Sequence, residues 1–567
     1  MAPPPPAASS PAASRRLEGS LLGWLRGYER AWLAADLVAG LTAAAVVLPK
    51  AMAYATVAGL PVQVGLYTAF IPAVVYALLG GSRVLSVSTS STIAILTASA
   101  LTAAVPDASP ERLLTAAATL TLLVGAMLSG AAVLRLGFIA NFISEPVLGG
   151  FKAAIGLVIV LDQVPKLLGV HIHKVGFFRD LLRLAEAVPA THVPTLLLSI
   201  ALAAVILSLM RWAPKIPAPL VAVAAAIGAS AMLPLAAWGV KTVGTIPGGL
   251  PRPTLPDLKL LESLWPSAAG IALMSFTETI AAGRAFAGKS DLRPSANQEL
   301  LATGLGCAAG GLLGAMPSGG GTTQTAVNRR VGARTQLAGL VTGLISLATL
   351  LVLAPALSLM PEATLAVVVV IYSAELVSLK DFRAILAVRR TELVWAVTAF
   401  AGVLLLGTLR GIVVAVLVSL LALAQQANHP AVYEVGRKRG SNVFRRRAEH
   451  PDDESFPGLL LLRVEGRIYF GNAERVIDLL TPIALSADPK VLALDCSAIF
   501  DLEYSALKML ASAEERVRRH GAELWLAALN PEVRGVVERS PLGKALGRER
   551  MCFNLEDAVE RFRKRGA

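Results

Sequence analysis

Two stretches of this 567-residue chain share an order of residue types that suits the binding of an anion. The first runs from Gly80-Gly81-Ser82 through Ser88, Thr89, Ser90, Ser91 and Thr92 into an apolar segment. The second runs from Ser318-Gly319-Gly320-Gly321 through Thr322, Thr323, Gln324 and Thr325 into apolar residues. A glycine-rich turn that feeds a helix leaves free backbone N–H groups and partial positive charge at the helix start. Two such starts aimed at one point would hold an anion. The stretches lie about 235 residues apart, in corresponding positions of the two halves of the apolar region, which is how a transporter substrate site is written in sequence. Gly/Ser-rich packing between membrane helices gives the same composition, but two copies in register favour the ligand.

Glu278 is the only ionised residue in the centre of the apolar segment Ile271–Phe286. An acid at bilayer depth costs about 2.5 kcal/mol or more, so it needs a reason. Either it binds a coupling cation beside the substrate, or it is structural, in an ion pair or as a hydrogen-bonded protonated acid. A carboxyl of this kind suits H⁺ better than Na⁺, which wants several convergent oxygens. Lys50 follows Pro49 inside the first apolar span, where proline frees backbone carbonyls. It either lines the site or snorkels to an interface. Tyr54, one helical turn further, faces the same side, as a site residue or as core.

These groups need a membrane body to hold them. Hydrophobic residues make up 55% of the chain and charged ones 16%, against about 25% charged in soluble domains. Residues 1–425 carry 29 Lys/Arg and 18 Asp/Glu, whereas residues 426–567 carry 23 and 21. An apolar body is therefore followed by a water-soluble domain. The net charge of +13 resides mostly in the body, where basic residues flanking spans set topology, so nucleic acid is excluded as a partner. Cys307, Cys496 and Cys552 are isolated and the six histidines are scattered, so neither a disulfide framework nor a metal site is expected.

Residues 1–30 read as a Pro/Ala/Ser-rich disordered segment ending in an interfacial stretch with Trp24, Leu25 and Trp32. Arg15, Arg16, Arg26 and Arg30 place this end in the cytoplasm. Residues 31–428 form the membrane domain. Apolar segments suited to spanning lie at 35–57, 63–80, 114–135, 146–165, 193–211, 218–236, 265–287, 298–315, 335–356 and 391–424. Shorter ones lie at 88–103, 322–331, 363–375 and 377–388. The segment 391–424 is one oblique helix or two joined near Gly407 and Arg410. Residues 429–456 read as a linker and 457–567 as a small α/β domain. In that domain Leu459–Val464 and Arg467–Phe470 read as a hairpin, Ala473–Leu480 as a helix stopped by Pro482, and Val491–Cys496 as a buried strand.

The motifs in this order resemble the sulfate permease family of anion transporters, which end in a STAS domain. Leu48–Ala55 (LPKAMAYA) with Ala58-Gly59-Leu60-Pro61 is similar to the family's first-helix signature. Gly137–Leu148, Asn297–Leu300, Thr325–Asn328 and Gly332–Thr335 are similar to its later motifs, and Tyr469–Glu474 and Asp495–Leu507 to STAS. The resemblance implies an all-α polytopic membrane domain of about 14 spans, a 7+7 inverted repeat divided into core and gate, then the α/β STAS domain. It implies a homodimer, multi-pass in a bacterial inner membrane, with both termini cytoplasmic and lipid around it. The anion would lie between the third and tenth helix starts, beside the first and eighth helices, and move by an elevator motion.

Carried onto this chain, the substrate ligands would be Lys50, Tyr54, Thr89, Ser90, Ser91, Thr322, Thr323, Gln324 and Thr325, and Glu278 would couple the cation. Lys50 stands where the family more often has Gln, and Gln324 where it often has Arg. The positive charge is thus expected to have moved from the tenth helix to the first, with Lys50 pairing with Glu278 in the empty site. Ser505 occupies the place of a phosphorylated serine in related soluble STAS proteins. With Glu503 in place of the usual Asp, it reads first as a helix N-cap. The function implied is secondary active transport of a small anion, sulfate first, by H⁺ symport. Bicarbonate or a C4-dicarboxylate, an uncoupled exchanger or channel, and a regulatory protein with a cytoplasmic STAS partner are the alternatives. No cofactor is expected beyond the coupling ion, H⁺ or Na⁺, and no enzymatic activity.

Overall fold

A computed structural model describes residues 23–566 except 26–27, 107–108, 143, 173–174, 215, 248 and 288–294. Arg15, Arg16 and Arg26 of the N-terminal segment lie outside the described residues. The chain divides into two compact units, one ending at Leu420 and one beginning at Leu421.

The first unit is helical. Its helices are α1 (Leu33–Val57), α2 (Val62–Leu79), α3 (Ser91–Ala104), α4 (Pro110–Val133), α5 (Glu145–Leu168), α6 (Phe177–Ala187), α7 (Val193–Trp212) and α8 (Ala218–Met232). They continue as α9 (Leu261–Ala285), α10 (Ala296–Leu312), α11 (Thr322–Val331), α12 (Leu337–Leu357), α13 (Glu362–Ala374), α14 (Leu379–Val388), α15 (Arg390–Leu406) and α16 (Thr408–Ala427). Among the described residues, eight helical stretches are long and apolar enough to cross a membrane. The starts follow capping chemistry: Ser90, Ser109 and Ser144 accept first-turn N–H groups of α3, α4 and α5. Leu197, Ile200 and Leu207 of α7 are more than half exposed, a surface suited to lipid rather than water. Inside, small residues let backbones touch: a Cβ on Gly125 of α4 would come 2.5 Å from Ala308 N of α10.

Of the two readings of 391–424, the structure has the second: two helices, joined at Gly407 with φ +87°, a left-handed conformation that glycine adopts without strain. The piece 377–388 is α14, which has no buried residue and carries Lys380, Asp381 and Arg383. With Glu362–Ala374 it belongs to one apolar stretch, Glu362–Val388, long enough to cross a membrane. The interfacial stretch is two short 3-10 turns, Gly23–Leu25 and Arg30–Trp32, with Trp24 Nε1 donating to Ala77 O at 2.7 Å.

Two short strands sit within this unit, β1 (Val87–Ser88) and β2 (Gly319–Gly320), paired antiparallel.

The second unit carries a mixed six-stranded sheet of order β4-β3-β5-β6-β7-β8. Its strands are β3 (Ala431–Arg437), β4 (Phe444–Arg446), β5 (Leu459–Glu465), β6 (Val491–Asp495), β7 (Glu523–Ala527) and β8 (Met551–Cys552). The strands from β5 to β8 run parallel, and β3 is antiparallel to β5. All five residues of β6 are buried, as a parallel strand covered on both faces requires. The segment 429–456 is not a linker: it supplies β3 and β4. Its charges are paired, with Arg445 bridging Asp453 and Arg437 bridging Glu454 and Glu556, so its polarity belongs to the folded domain. The partner of β5 is accordingly β3, and Arg467–Phe470 forms no strand, only a bridge between Ile468 and Leu502. The helix after it, α17 (Ala473–Ala487), continues past Pro482.

Candidate functional site

β1 and β2 place Val87 opposite Gly320 and Ser88 opposite Gly319. Each strand runs directly into a helix, α3 capped by Ser90 and α11 capped by Gly321. Because the strands are antiparallel, the helices leave in opposite directions from one place, and their first-turn N–H groups converge. The glycines of β2 are required by proximity. A Cβ on Gly320 would lie 2.7 Å from Thr279 Cα of α9.

Buried hydrogen bonds fix the tips. Ser275 Oγ donates to Ser318 O at 2.6 Å, and Gly320 N donates to Thr279 Oγ1 at 2.9 Å. Gly321 N donates to Ser86 O at 3.0 Å, and Ser86 N donates to Thr325 Oγ1 at 3.1 Å. The segment leading to β1 is braced by Glu299 and Asn328 of the sequence motifs and by Gln336 just beyond one of them. Glu299 accepts from Tyr76 Oη and Gly81 N, Gln336 donates to Ser82 O and Leu85 O, and Asn328 donates to Val84 O. Asp36 accepts from the backbone of Arg334 and Thr335 and from the Thr335 hydroxyl.

A cavity of about 220 Å³ opens at the two tips. Lys50, Tyr54, Thr89, Ser90, Ser91, Thr322, Thr323, Gln324 and Glu278 all line it. Thr325 does not. Its hydroxyl is fully buried between Ser86 N and Gly321 O, so it positions the tips. The lining also includes Thr92, Lys152, Tyr372 and Glu375, which sequence reasoning missed. Lys152 interrupts the apolar segment 146–165 much as Lys50 interrupts its own, a signal that was present. Tyr372 and Glu375 end a short apolar run and carried none.

The charges pair differently from expectation. Glu278, 5% exposed, accepts from Ser90 Oγ at 2.7 Å and faces Lys152 Nζ at 3.7 Å. Lys50 has no ion pair among the described residues; its Nζ sits 3.6 Å from the centroid of the Tyr372 ring, a cation–π contact. The counter-ion of Glu278 is therefore Lys152, because α5 brings its lysine across the cavity from α9. Among the described residues, two lining atoms, Thr89 Oγ1 and Gln324 Nε2, are buried without a hydrogen-bond partner. Such atoms are costly unless a ligand or water meets them.

In the second unit Ser505 is exposed and is the second residue of α18 (Tyr504–Arg519). It is not the N-cap. That position is Glu503, whose side chain makes no capping bond and instead pairs with Arg467 at 2.6 Å.

A sulfate permease family domain matches residues 33–399 and a STAS domain residues 450–558. A Mycobacterium tuberculosis protein named "Probable sulfate transporter" is 35% identical over 554 residues, covering 96% of this chain and 99% of its own. The Arabidopsis thaliana "Sulfate transporter 4.1, chloroplastic" is 28% identical, covering 95% of this chain and 81% of its own. The solved structure of murine Solute Carrier 26 family member A9, an anion transporter in the inward-facing state, superposes with TM-score 0.88 at 21% identity, covering 98% and 95% of the two chains. The transmembrane domain of a cyanobacterial bicarbonate transporter superposes with TM-score 0.58 at 25% identity, covering 70% of this chain and 98% of its own. With the paired strands, the polytopic body and the STAS sheet in place, the chain belongs to the sulfate permease family, whose members are transporters rather than enzymes.

Proposed function

We propose that the cavity is the substrate site of a secondary active transporter for a small inorganic anion, sulfate before others, coupled to H⁺. One observation carries this reading: two helix starts converge on a cavity in which Thr89 Oγ1 and Gln324 Nε2 are buried and unmet. Lys50 and Lys152 line the same cavity. Backbone N–H groups, hydroxyls and ammonium groups together are anion ligands. The preference for sulfate rests on the names of the mycobacterial and plant relatives. Bicarbonate is the second reading, favoured by the cyanobacterial structure.

Glu278 is the coupling group. A channel has no need of a buried carboxyl at its binding site, and this one is held by both Ser90 and Lys152. The tips are bonded to α9, whereas Lys152 and Tyr372 face them from α5 and α13. This arrangement supports an elevator motion. Two of the contacts between the two sets, Glu278 to Lys152 and Lys50 to Tyr372, cross the cavity itself. The working unit is a homodimer in a bacterial inner membrane, with the termini and the STAS domain in the cytoplasm, where that domain meets a partner.

Uptake of labelled sulfate into proteoliposomes, in competition with bicarbonate, chloride and fumarate and with or without a pH gradient, tests the reading. Sulfate should compete best and an inward proton gradient should drive uptake. Glu278→Gln should abolish gradient-driven uptake while sulfate exchange persists. Gradient-driven uptake that survives this substitution refutes the coupling role.

A further inference from the structure

Lys152 and Glu278 face each other from helices on opposite sides of the cavity. Glu278 belongs to α9 and is tied through Ser90 to the start of α3. The groups that line the cavity with it include Ser90 ahead of α3, Lys50 and Tyr54 on α1, Lys152 on α5, Gln324 on α11, and Tyr372 and Glu375 at the end of α13. Of the two lysines, Lys50 is 4% exposed and occupied by the Tyr372 ring. Lys152 is different: its side chain is 24% exposed and its Nζ is 3.7 Å from Glu278 Oε1. That distance exceeds a charge-assisted hydrogen bond. Lys152 is thus held by charge and not locked by geometry, and a cation so held can change partners at little cost.

We infer that Lys152 exchanges partners during transport: it neutralises Glu278 while the site is empty and ionised, and turns to the anion when Glu278 takes up a proton. This rests on the reading of the cavity as an anion site coupled through Glu278. With Glu278 ionised, the pair sums to zero and offers an anion little attraction. A proton added to the carboxylate breaks the ion pair and leaves the ammonium unpaired. An unpaired charge at a partly buried site is unfavourable, and an entering anion relieves it. No covalent bond changes, and proton and anion each tighten the other's binding, as reciprocity of coupling requires. The same exchange removes an ionic contact between α9 and α5, freeing the tips to move with their load.

The test is equilibrium binding of labelled sulfate to the purified full-length chain at about pH 5.5 and about pH 8. Wild type should bind sulfate about tenfold or more tightly at the lower pH. Glu278→Gln should bind tightly at both. Adding Lys152→Gln to Glu278→Gln should weaken binding about tenfold or more at both pH values. The double variant is the one to trust for folding, since removing both partners leaves no stranded charge. Adding Lys152→Arg instead should retain the affinity of Glu278→Gln within a few-fold, which confirms that the site still forms. Equal affinity of Glu278→Gln with and without Lys152 overturns the inference alone, as does pH dependence persisting in Glu278→Gln. A wild-type chain that binds sulfate at neither pH overturns the underlying reading, and the inference with it.

Discussion

Thr89 and Thr325 separate binding from folding, because the same substitution at the two has opposite consequences. Both are threonines near the tips and both are 3% exposed or less. Thr325 Oγ1 accepts from Ser86 N at 3.1 Å and donates to Gly321 O at 2.6 Å. Thr89 Oγ1 has no partner among the described residues. Valine keeps the shape of either residue and removes only the hydroxyl. At Thr325 it leaves Ser86 N buried and unmet, a cost of about 1–3 kcal/mol, and it unfastens α11 from the segment before β1. At Thr89 it removes an already unmet group, so folding should be unharmed or slightly favoured.

Binding reverses the order of interest. If the anion is what meets Thr89, the lost hydrogen bond to a charged group is worth about 1.5–3 kcal/mol. At about 1.4 kcal/mol per tenfold, the sulfate Kd should rise roughly 10- to 150-fold. Thermal melting of the purified chain and equilibrium binding of labelled sulfate read the two effects separately. Thr89→Val should keep the wild-type melting temperature and lose affinity. Thr325→Val should lose melting temperature, and affinity with it. A Thr89→Val protein that binds sulfate as wild type does would refute the assignment, since the unmet hydroxyl would then have no ligand to serve.

Lys50→Gln should weaken sulfate binding about tenfold or more, the loss of one cation close to a desolvated anion; unchanged affinity would assign Lys50 to its Tyr372 contact alone. Gly320→Ala should lower the melting temperature, because its Cβ would meet Thr279 Cα at 2.7 Å and overpacking of this kind costs about 1–3 kcal/mol. Gly130→Ala in α4, where a Cβ meets nothing within 4 Å, should not. In the STAS domain, the Trp525 Nε1–H and the Arg565 guanidinium hold the Glu523 carboxyl below its ordinary 4.5. A lowered folded-state value stabilises the fold above the unfolded value, and this is lost as pH falls through the folded one. Hydrogen exchange in β7 should therefore be faster in Glu523→Gln than in wild type at pH 7, with the difference shrinking below 4.5; a constant difference would place the effect in packing.

How much of this was legible follows from what each signal depends on. Glycine, then serine and threonine, then apolar residues is a local order, so both tips and nearly all their lining side chains could be read from sequence. The outcome for Thr325 was not legible, because nothing local distinguishes a hydroxyl that faces the cavity from one that faces Ser86, 239 residues away. Lys152 carried a local signal, a lysine inside an apolar span, yet its meaning is entirely non-local. It becomes the partner of Glu278 only because α5 packs where α9 can reach it. Assigning that role to Lys50 was the natural error, since Lys50 is marked by Pro49 and by the motif around it. The strands β3 and β4 were hidden for the converse reason. Arg437, Arg445 and Arg447 read as a linker until Glu454, Asp453 and Glu434 are seen to pair with them, and Arg445 lies on β4, the edge strand, where a sheet tolerates such charge. In both units the sequence marks which residues are unusual, and packing decides which unusual residue answers which. For the coupling mechanism that decision is the substance: with Lys50 as counter-ion the charge pair would depend on α1, whereas with Lys152 it spans the cavity between α9 and α5, and breaking it changes what the helices can do.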